Sequence, residues 1–228
     1  MLYLLDTANA KKIAECFDLF PVAGVTTNPT LIAKEKRPFF DILTDIRSVI
    51  GESSMLHVQV LGCDADTMVD EANQLRDRFG AGILPKIPVT PQGLKAMRIL
   101  SASGFTVTAT AIGAPLQALL AAKAGASFTA PYVNRLDNIG ADGVGVVANI
   151  VKLFTVHGLS TKVLTASFKN VQQVQDVALA GAHAATMSPD LLELIVRHPL
   201  TDSGIAGFEA DWAAAYGAGA TTLDMTAA

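Results

Sequence analysis

Short runs of apolar residues recur along the chain, and longer amphipathic stretches separate them. A continuous apolar run of about four to eight residues is typical of a strand buried on both faces. The starts of these runs lie 20 to 35 residues apart, which suits one strand followed by one helix. The pattern therefore predicts eight βα units, with strands at 2–6, 22–28, 55–61, 82–89, 105–110, 127–133, 162–168 and 184–188.

The stretches between these runs predict helices. In residues 64–80 the apolar side chains of Met68, Ala72 and Leu75 follow the period of a helix with one buried face. Other helix starts are marked by a capping residue placed directly before a proline, which suits the first helical turn. These pairs are Asn28-Pro29, Thr90-Pro91 and Ser188-Pro189.

Eight such units predict an α/β protein built as a single (β/α)8 TIM barrel. The alternative is a doubly wound open sheet, which usually carries a glycine-rich loop after its first strand. Residues 4–12, LLDTANAKK, contain no glycine, so the barrel is favoured. Additional C-terminal helices extend the barrel domain to residue 217, and the small and polar residues 218–228 predict a flexible tail.

Composition and charge narrow the classes of function. Half of the residues are hydrophobic and 17% are charged, so the chain can bury a large core. A net charge of −4 without a basic run argues against a nucleic-acid partner, and no apolar window is long enough for a membrane span. The N-terminus does not resemble a signal peptide. With two distant cysteines, this predicts a cytoplasmic protein with reduced thiols, in which Cys63 is buried.

Polar side chains collect at the predicted C-terminal ends of the strands, where barrels of this type carry their functional groups. They are Asp6, Thr26, Asn28, Gln59, Lys86, Thr110, Tyr132 and Ser167, with Arg135 just beyond the sixth strand. Alternation along each strand puts Leu84 on the same inner face as Lys86, and His57 on the same face as Gln59. The sequence thus predicts one polar site at this end of an apolar scaffold.

Lys86 is the most informative of these residues, because a lysine is almost never buried without a reason. It lies within the apolar run ILPKIPV, residues 83–89. Burial disfavours the ammonium form, so a lysine there can be a free amine that attacks a carbonyl and forms a Schiff base. The alternatives are a side chain that extends into solvent and an ion pair with Asp6.

The sequence contains no cofactor or metal motif that we recognise. It lacks a glycine-rich nucleotide loop, an HExxH motif and a Cys/His cluster. Its four histidines are scattered, and we interpret each as structural, with His57 as a hydrogen-bonded core residue. The spacing of these residues therefore offers no set of metal ligands.

Five motifs resemble, in their order, those of the transaldolase family. They are LDTAN at 5–9, GVTTNPTLIAKE at 24–35, KIPVTPQGLKA at 86–96, APYVNRLD at 130–137 and TASFKN at 165–170. The chain is most similar to the small fructose-6-phosphate aldolase branch, over residues 1–216. The resemblance implies a class I aldolase of carbohydrate metabolism, with a (β/α)8 barrel, its Schiff-base lysine at Lys86 and no cofactor.

The resemblance also implies a homo-oligomer, either a pentamer or a decamer. Phe208 and Trp212 lie on one face of the last predicted helix. Packing onto the barrel is the ordinary interpretation of this pair, and a contact between subunits is the alternative.

Two positions separate the branches of the family. Transaldolases have a glutamate at the end of strand three and usually a phenylalanine in the strand-six motif, whereas this chain has Gln59 and Tyr132. Both residues indicate an aldolase that reversibly cleaves fructose 6-phosphate to dihydroxyacetone and glyceraldehyde 3-phosphate, and that adds dihydroxyacetone-type donors to aldehydes. Segments 135–143 and 198–212 are instead similar to small transaldolases of the pentose phosphate pathway. The alternative is therefore transfer of the dihydroxyacetone unit to erythrose 4-phosphate.

The catalytic set that the resemblance implies consists of Lys86, Tyr132, Asp6, Gln59 and Thr110. Asp6 would bind the sugar hydroxyls and assist proton transfer. Thr110, Tyr132 and Gln59 would position a water that carries protons. The residues alone leave another role open for Asp6, which could cap the first helix.

The substrate-binding set implied in the same way consists of Thr26, Asn28, Arg135, Ser167 and Ala130. Arg135 is the candidate for the substrate's phosphate, because a guanidinium binds phosphate through two parallel hydrogen bonds. Taken alone, Thr26 and Asn28 could be turn residues before a proline, and Arg135 could pair with Asp137 on the surface.

Overall fold

The computed structural model describes residues 1–225, and eight parallel strands form its closed barrel. The strands are β1 (Leu2–Asp6), β2 (Val22–Thr26), β3 (Met55–Gln59), β4 (Ile83–Pro88), β5 (Thr108–Ile112), β6 (Phe128–Pro131), β7 (Lys162–Thr165) and β8 (Ala184–Met187). Each strand pairs with the next in sequence, and β8 pairs with β1. The predicted (β/α)8 TIM barrel is confirmed, and the open doubly wound sheet is excluded.

Helices connect the strands and continue beyond β8. Within residues 1–225 they are α1 (Ala10–Leu19), α2 (Pro29–Lys34), α3 (Phe39–Ile50), α4 (Ala65–Phe79), α5 (Pro91–Ala102), α6 (Pro115–Lys123), α7 (Asn134–Asp137), α8 (Gly143–Val156), α9 (Val171–Leu179), α10 (Pro189–Val196) and α11 (Pro199–Tyr216). The predicted starts of α2 and α5 are confirmed, since the side chains of Asn28 and Thr90 accept hydrogen bonds from backbone N–H groups of the first turn.

Strand β5 runs from Thr108 to Ile112, although the sequence pattern predicts it at 105–110. The neighbouring strand β4 explains its late start. Val89 N donates to Thr110 O, and by alternation the backbone of Pro85 also faces β5. Because proline has no N–H, it cannot form the corresponding bond, and pairing of β4 with β5 begins at Lys86 and Thr108.

The interior of the barrel is apolar in its lower layer. Leu4, Leu84, Phe128, Leu164 and Ala184, each from a different strand, form one buried cluster there. The predicted inward orientation of Leu84 is therefore confirmed. This cluster fills the barrel below the strand ends, so any ligand must bind above it, at the C-terminal mouth.

Cys63 is exposed, so the prediction that it is buried is wrong. Strand β3 already ends at Gln59, and Cys63 therefore lies in the loop before α4. No disulfide joins it to Cys16 in the part of the chain that the structure describes.

The chain divides into two compact units, Met1–Leu191 with the barrel and Leu192–Ala228 with α11. Helix α11 has no buried residue, and Phe208 is 75% exposed. In the predicted tail 218–228, Ala220 O accepts a hydrogen bond of 2.8 Å from Trp212 Nε1, and residues 226–228 lie outside the described residues. Among residues 1–225, no helix is both long and apolar enough to cross a bilayer.

Candidate active site

A polar cavity of about 340 Å³ opens at the C-terminal mouth of the barrel. Its lining residues are Asp6, Thr26, Asn28, Pro29, Thr30, Gln59, Lys86, Thr110, Ala130, Tyr132, Arg135, Leu164, Ala166, Ser167 and Thr186. All ten residues that the sequence singled out for catalysis or substrate binding are among them. The structure thus brings side chains from all eight strands, or from the loops after them, into one pocket.

Lys86 lies in the C-terminal half of β4 and is only 7% exposed. Its Nζ donates a hydrogen bond of 2.7 Å to Thr27 O, which leaves two of the three ammonium donors for the pocket. Burial lowers the pKa of the Lys86 ammonium, the Asp6 carboxylate opposes this shift, and Arg135 adds to it. The side chain therefore does not extend into solvent, and its surroundings favour the free amine that a nucleophile requires.

Asp6 ends β1 and belongs to a chain of hydrogen bonds. Thr26 Oγ1 donates to Asp6 Oδ1 at 2.7 Å and lies 2.7 Å from Thr186 Oγ1. Because the one proton of Thr26 is given to Asp6, Thr186 is then the donor to Thr26. Burial raises the pKa of Asp6, while Lys86, Thr26 and Arg135 oppose that shift. The raised pKa makes Asp6 a candidate group to take or give a proton in the pocket.

The alternative role of Asp6 as a helix cap is wrong. The cap of α1 is Asn9, whose Oδ1 accepts a hydrogen bond of 3.0 Å from Lys12 N. Asn28 does cap α2, through a bond of 3.1 Å from Leu31 N to its Oδ1, and it also lines the pocket. For Asn28 the turn function and the pocket position therefore coexist.

Gln59, Thr110 and Tyr132 face the pocket around Lys86. Gln59 is the ladder partner of Lys86 on β3, and Thr110 is the partner of Pro88 on β5. Between Ala109 and Ile112, the ladder between β5 and β6 is irregular, and Ala111 has a φ of 60°, in the left-handed region. Bulges of this kind redirect side chains next to functional sites.

Arg135, in α7, lies at the rim of the pocket. Its guanidinium carbon lies 4.4 Å from the centre of the Tyr132 ring, which it covers. The predicted alternative, an ion pair with Asp137, is not formed within residues 1–225, since Asp137 accepts hydrogen bonds from Gly143 N and Gln173 Nε2. Arg135 therefore keeps donors for an anionic ligand.

Ser167 and Ala130 complete the predicted set. Ser167 follows β7 with a φ of 65°, and its carbonyl oxygen accepts a hydrogen bond of 2.7 Å from Asn134 N. This bond ties the loop after β7 to the start of α7, which carries Arg135. Ala130 lies on β6 and presents no polar group, so it leaves room in the pocket.

Sequence reasoning missed five lining residues, which are Pro29, Thr30, Leu164, Ala166 and Thr186. Thr186 is the most important, because it supplies the first donor of the hydrogen-bond chain to Asp6. A signal for it existed. Thr186 lies two residues after the inward Ala184, so the alternation that selected the other strand ends also applies to β8.

Two further features bear on chemistry. Within the described residues, no group of three or more His, Cys, Asp or Glu side chains could hold a metal ion. His57 is completely buried below the pocket, and the prediction of a hydrogen-bonded core histidine holds for one nitrogen only. Its Nδ1 lies 2.8 Å from Thr108 Oγ1, whereas its Nε2 has no partner among these residues.

The fold and the pocket together define a class of protein: a (β/α)8 barrel with a polar pocket around a buried lysine at its C-terminal mouth. The family model described as Transaldolase/Fructose-6-phosphate aldolase matches residues 3–220. This chain belongs to that family.

Similar proteins carry the name of one of its branches. A "Probable transaldolase" of Clostridium acetobutylicum is 40% identical over 216 residues, which cover 95% of this chain and 99% of the relative. Proteins of the same name from Clostridium perfringens and Symbiobacterium thermophilum are each 42% identical, with the same coverage. The predicted family is confirmed, and the names of these relatives favour transfer over the predicted aldolase activity.

Proposed function

We propose that this chain cleaves a ketose phosphate through a Schiff base at Lys86 and transfers the dihydroxyacetone unit to an aldose acceptor. The observation that carries the proposal is the buried amine of Lys86 at the base of a polar pocket, with its pKa lowered by burial. The names of the relatives support transfer. The description of the family supports fructose 6-phosphate as the donor, and erythrose 4-phosphate is the acceptor that the resemblance to transaldolases implies.

The reaction begins when the Lys86 amine attacks the ketone carbon. Loss of water from the carbinolamine gives an iminium ion. The C3–C4 bond then breaks, its electron pair passes into the iminium to form an enamine, and the C4 hydroxyl loses its proton to leave as an aldehyde. We assign that proton transfer to Asp6, because its pKa is raised and its carboxylate accepts a hydrogen bond from Thr26 Oγ1. Arg135 would hold the phosphate.

The fate of the enamine separates two functions. In transfer, its carbon attacks the carbonyl of an aldose, whose oxygen takes a proton, and water then releases the new ketose. In the second candidate, an aldolase, the enamine is protonated and dihydroxyacetone is hydrolysed from Lys86. Gln59 and Tyr132 favour this second candidate, because neither is a carboxylate and the phenol of Tyr132 can bind the water that protonates the enamine.

The deciding experiment uses fructose 6-phosphate with and without erythrose 4-phosphate. If the chain transfers, glyceraldehyde 3-phosphate accumulates over many turnovers only when the acceptor is present. Continuous release of dihydroxyacetone without acceptor would instead establish the aldolase. The variant Tyr132→Phe is a matched control, since it removes only the phenol oxygen and should reduce any acceptor-free release relative to transfer.

We also propose that the protein is a homo-oligomer, as a pentamer or decamer. Helix α11 supports this, because it has no buried residue and exposes Leu200 and Phe208, each by 75%. Light scattering after size exclusion should give a mass several times 23.8 kDa, and the change Phe208→Glu should lower it. A monomer at micromolar concentration would contradict this proposal.

A further inference from the structure

A buried hydrogen bond lies below the pocket and has no part in the reaction described above. It joins His57 Nδ1 to Thr108 Oγ1 at 2.8 Å. Both residues are 0% exposed, and neither lines the pocket. His57 belongs to β3 and Thr108 to β5, so the bond connects two strands that are not neighbours in the barrel, with β4 between them.

The register of the strands places this bond directly beneath Lys86. His57 is level with Leu84 on β4, and Thr108 is level with Lys86. A line from His57 to Thr108 therefore crosses the inner face of β4 between Leu84 and Lys86. The crossing point is at the level of Pro85.

The backbone hydrogen bonding of β4 is incomplete at Pro85. This residue has no N–H, so it donates no backbone hydrogen bond to β5, and the β4–β5 ladder lacks one donor immediately before the pair of Lys86 and Thr108. The bond between His57 and Thr108 adds a side-chain link between the strands on both sides of β4 at this level. This side-chain link lies at the level of Pro85, the residue directly before Lys86.

We propose that His57 and Thr108 are positioning residues, whose hydrogen bond holds β4 at Pro85 and so aims the Lys86 amine into the pocket. The inference rests on the proposed function, in which that amine is the nucleophile. A displacement of a reacting group by about 1 Å can cost roughly 100-fold in rate.

The chemistry of His57 supports a specific role. Its ring packs edge-on against Phe128 at 5.4 Å, a contact that any aromatic ring could make. An imidazole there leaves Nε2 buried without a partner among residues 1–225, which destabilises the fold. Burial and the charge of Lys86 lower the pKa of His57 to about 3, so the ring stays neutral and adds no charge under the amine. For packing alone, phenylalanine would be the better residue.

The test separates positioning from packing with three variants. His57→Phe keeps the ring and loses the hydrogen bond. His57→Asn loses the ring but keeps an amide nitrogen near the place of Nδ1, so it can still bond Thr108. The double variant H57F/T108V replaces both partners by apolar groups of similar shape, and its stability should be near that of the wild type or above it.

The matched control is Thr165→Val. It removes another buried hydroxyl, whose bond of 3.0 Å goes to Ala184 O, from a strand residue that does not line the pocket. It should lower the melting temperature somewhat and leave kcat unchanged.

The measurements are melting temperature, kcat, KM and the rate at which borohydride traps an adduct with fructose 6-phosphate. We expect H57F and H57F/T108V to trap and turn over about tenfold more slowly, with KM nearly unchanged, although the double variant is about as stable as the wild type. H57N should be the less stable protein and the faster enzyme. Wild-type trapping and kcat in H57F/T108V would overturn the inference alone, whereas the absence of any adduct in the wild type would overturn the proposed function.

Discussion

Two layers of side chains fill the barrel, and a step of two residues along each strand separates them. The lower layer contains Leu4, Leu84, Phe128, Leu164 and Ala184. Two residues further on, the same strands present Asp6, Lys86, Ala130, Ala166 and Thr186 to the pocket. The lower layer is apolar and stabilises the fold, while the upper layer is largely polar and available for chemistry. Each of these strands therefore supplies one inward residue that stabilises the core and, two positions later, one that is available to the pocket.

The polar pair of His57 and Thr108 is the exception to this division. Each lies two residues before a pocket residue, Gln59 or Thr110, and so belongs to the lower layer. The pair is buried as completely as its apolar neighbours. Its place under Lys86 suggests that part of the lower layer serves the upper one.

The largest expected effect is a difference in the free energy of unfolding between a substitution in the lower layer and one in the upper layer. Leu84→Ala removes a buried side chain from the lower layer and should lower the free energy of unfolding by about 2–5 kcal/mol. Thr186→Val, in the upper layer, keeps the shape of the side chain and should cost only about 1 kcal/mol. It should nevertheless slow cleavage, because Thr26, which donates to Asp6, loses the hydrogen bond from Thr186. Urea unfolding and kcat measure both effects. Equal losses of stability would contradict the division into layers.

The next effect concerns acid. The pKa of His57 is about 3 in the folded state and about 6.5 in the unfolded chain. Between these values the unfolded state binds the extra proton, so stability should rise with pH by up to about 1.4 kcal/mol per unit from this group. Above pH 7, the titration of His57 should no longer change the stability.

Stability curves of the wild type and His57→Phe from pH 4 to 8 check this prediction. The variant should lose much of the acid sensitivity, and the two curves should run parallel above pH 7. Parallel curves over the whole range would mean that the pKa of His57 is not lowered in the folded protein.

The smallest effect concerns the rim of the upper layer. Arg135→Ala should raise KM about tenfold for phosphorylated substrates, through the loss of one charge-assisted contact, and change it little for unphosphorylated ones. Steady-state kinetics with fructose 6-phosphate and with an unphosphorylated ketose measure the difference. An equal rise for both substrates would remove Arg135 from phosphate binding.

Much of this architecture could be predicted from the sequence, because burial on both faces gives the strands of a parallel barrel continuous apolar runs. Lys86 stood out for the same reason, as a charge inside such a run. The residues at which the strands begin were harder to predict. The late start of β5 depends on Pro85 in another strand, so no pattern within 105–110 could indicate it.

The parts of the site that were missed depend on contacts between strands. Thr186 has a role only because β8 closes onto β1, beside Thr26 on β2. The bond between His57 and Thr108 likewise links residues 51 positions apart in sequence. Cys63 was predicted to be a small buried residue just past β3, but β3 ends two residues earlier than predicted and Cys63 lies exposed in the loop that follows.

The central claim is the nucleophilic amine of Lys86, and borohydride reduction in the presence of fructose 6-phosphate tests it most directly. Mass spectrometry of the digested protein should find the reduced three-carbon adduct on the peptide that contains Lys86, and Lys86→Arg should show neither adduct nor turnover. An adduct on a different lysine, or undiminished turnover in the Lys86→Arg variant, would contradict the account.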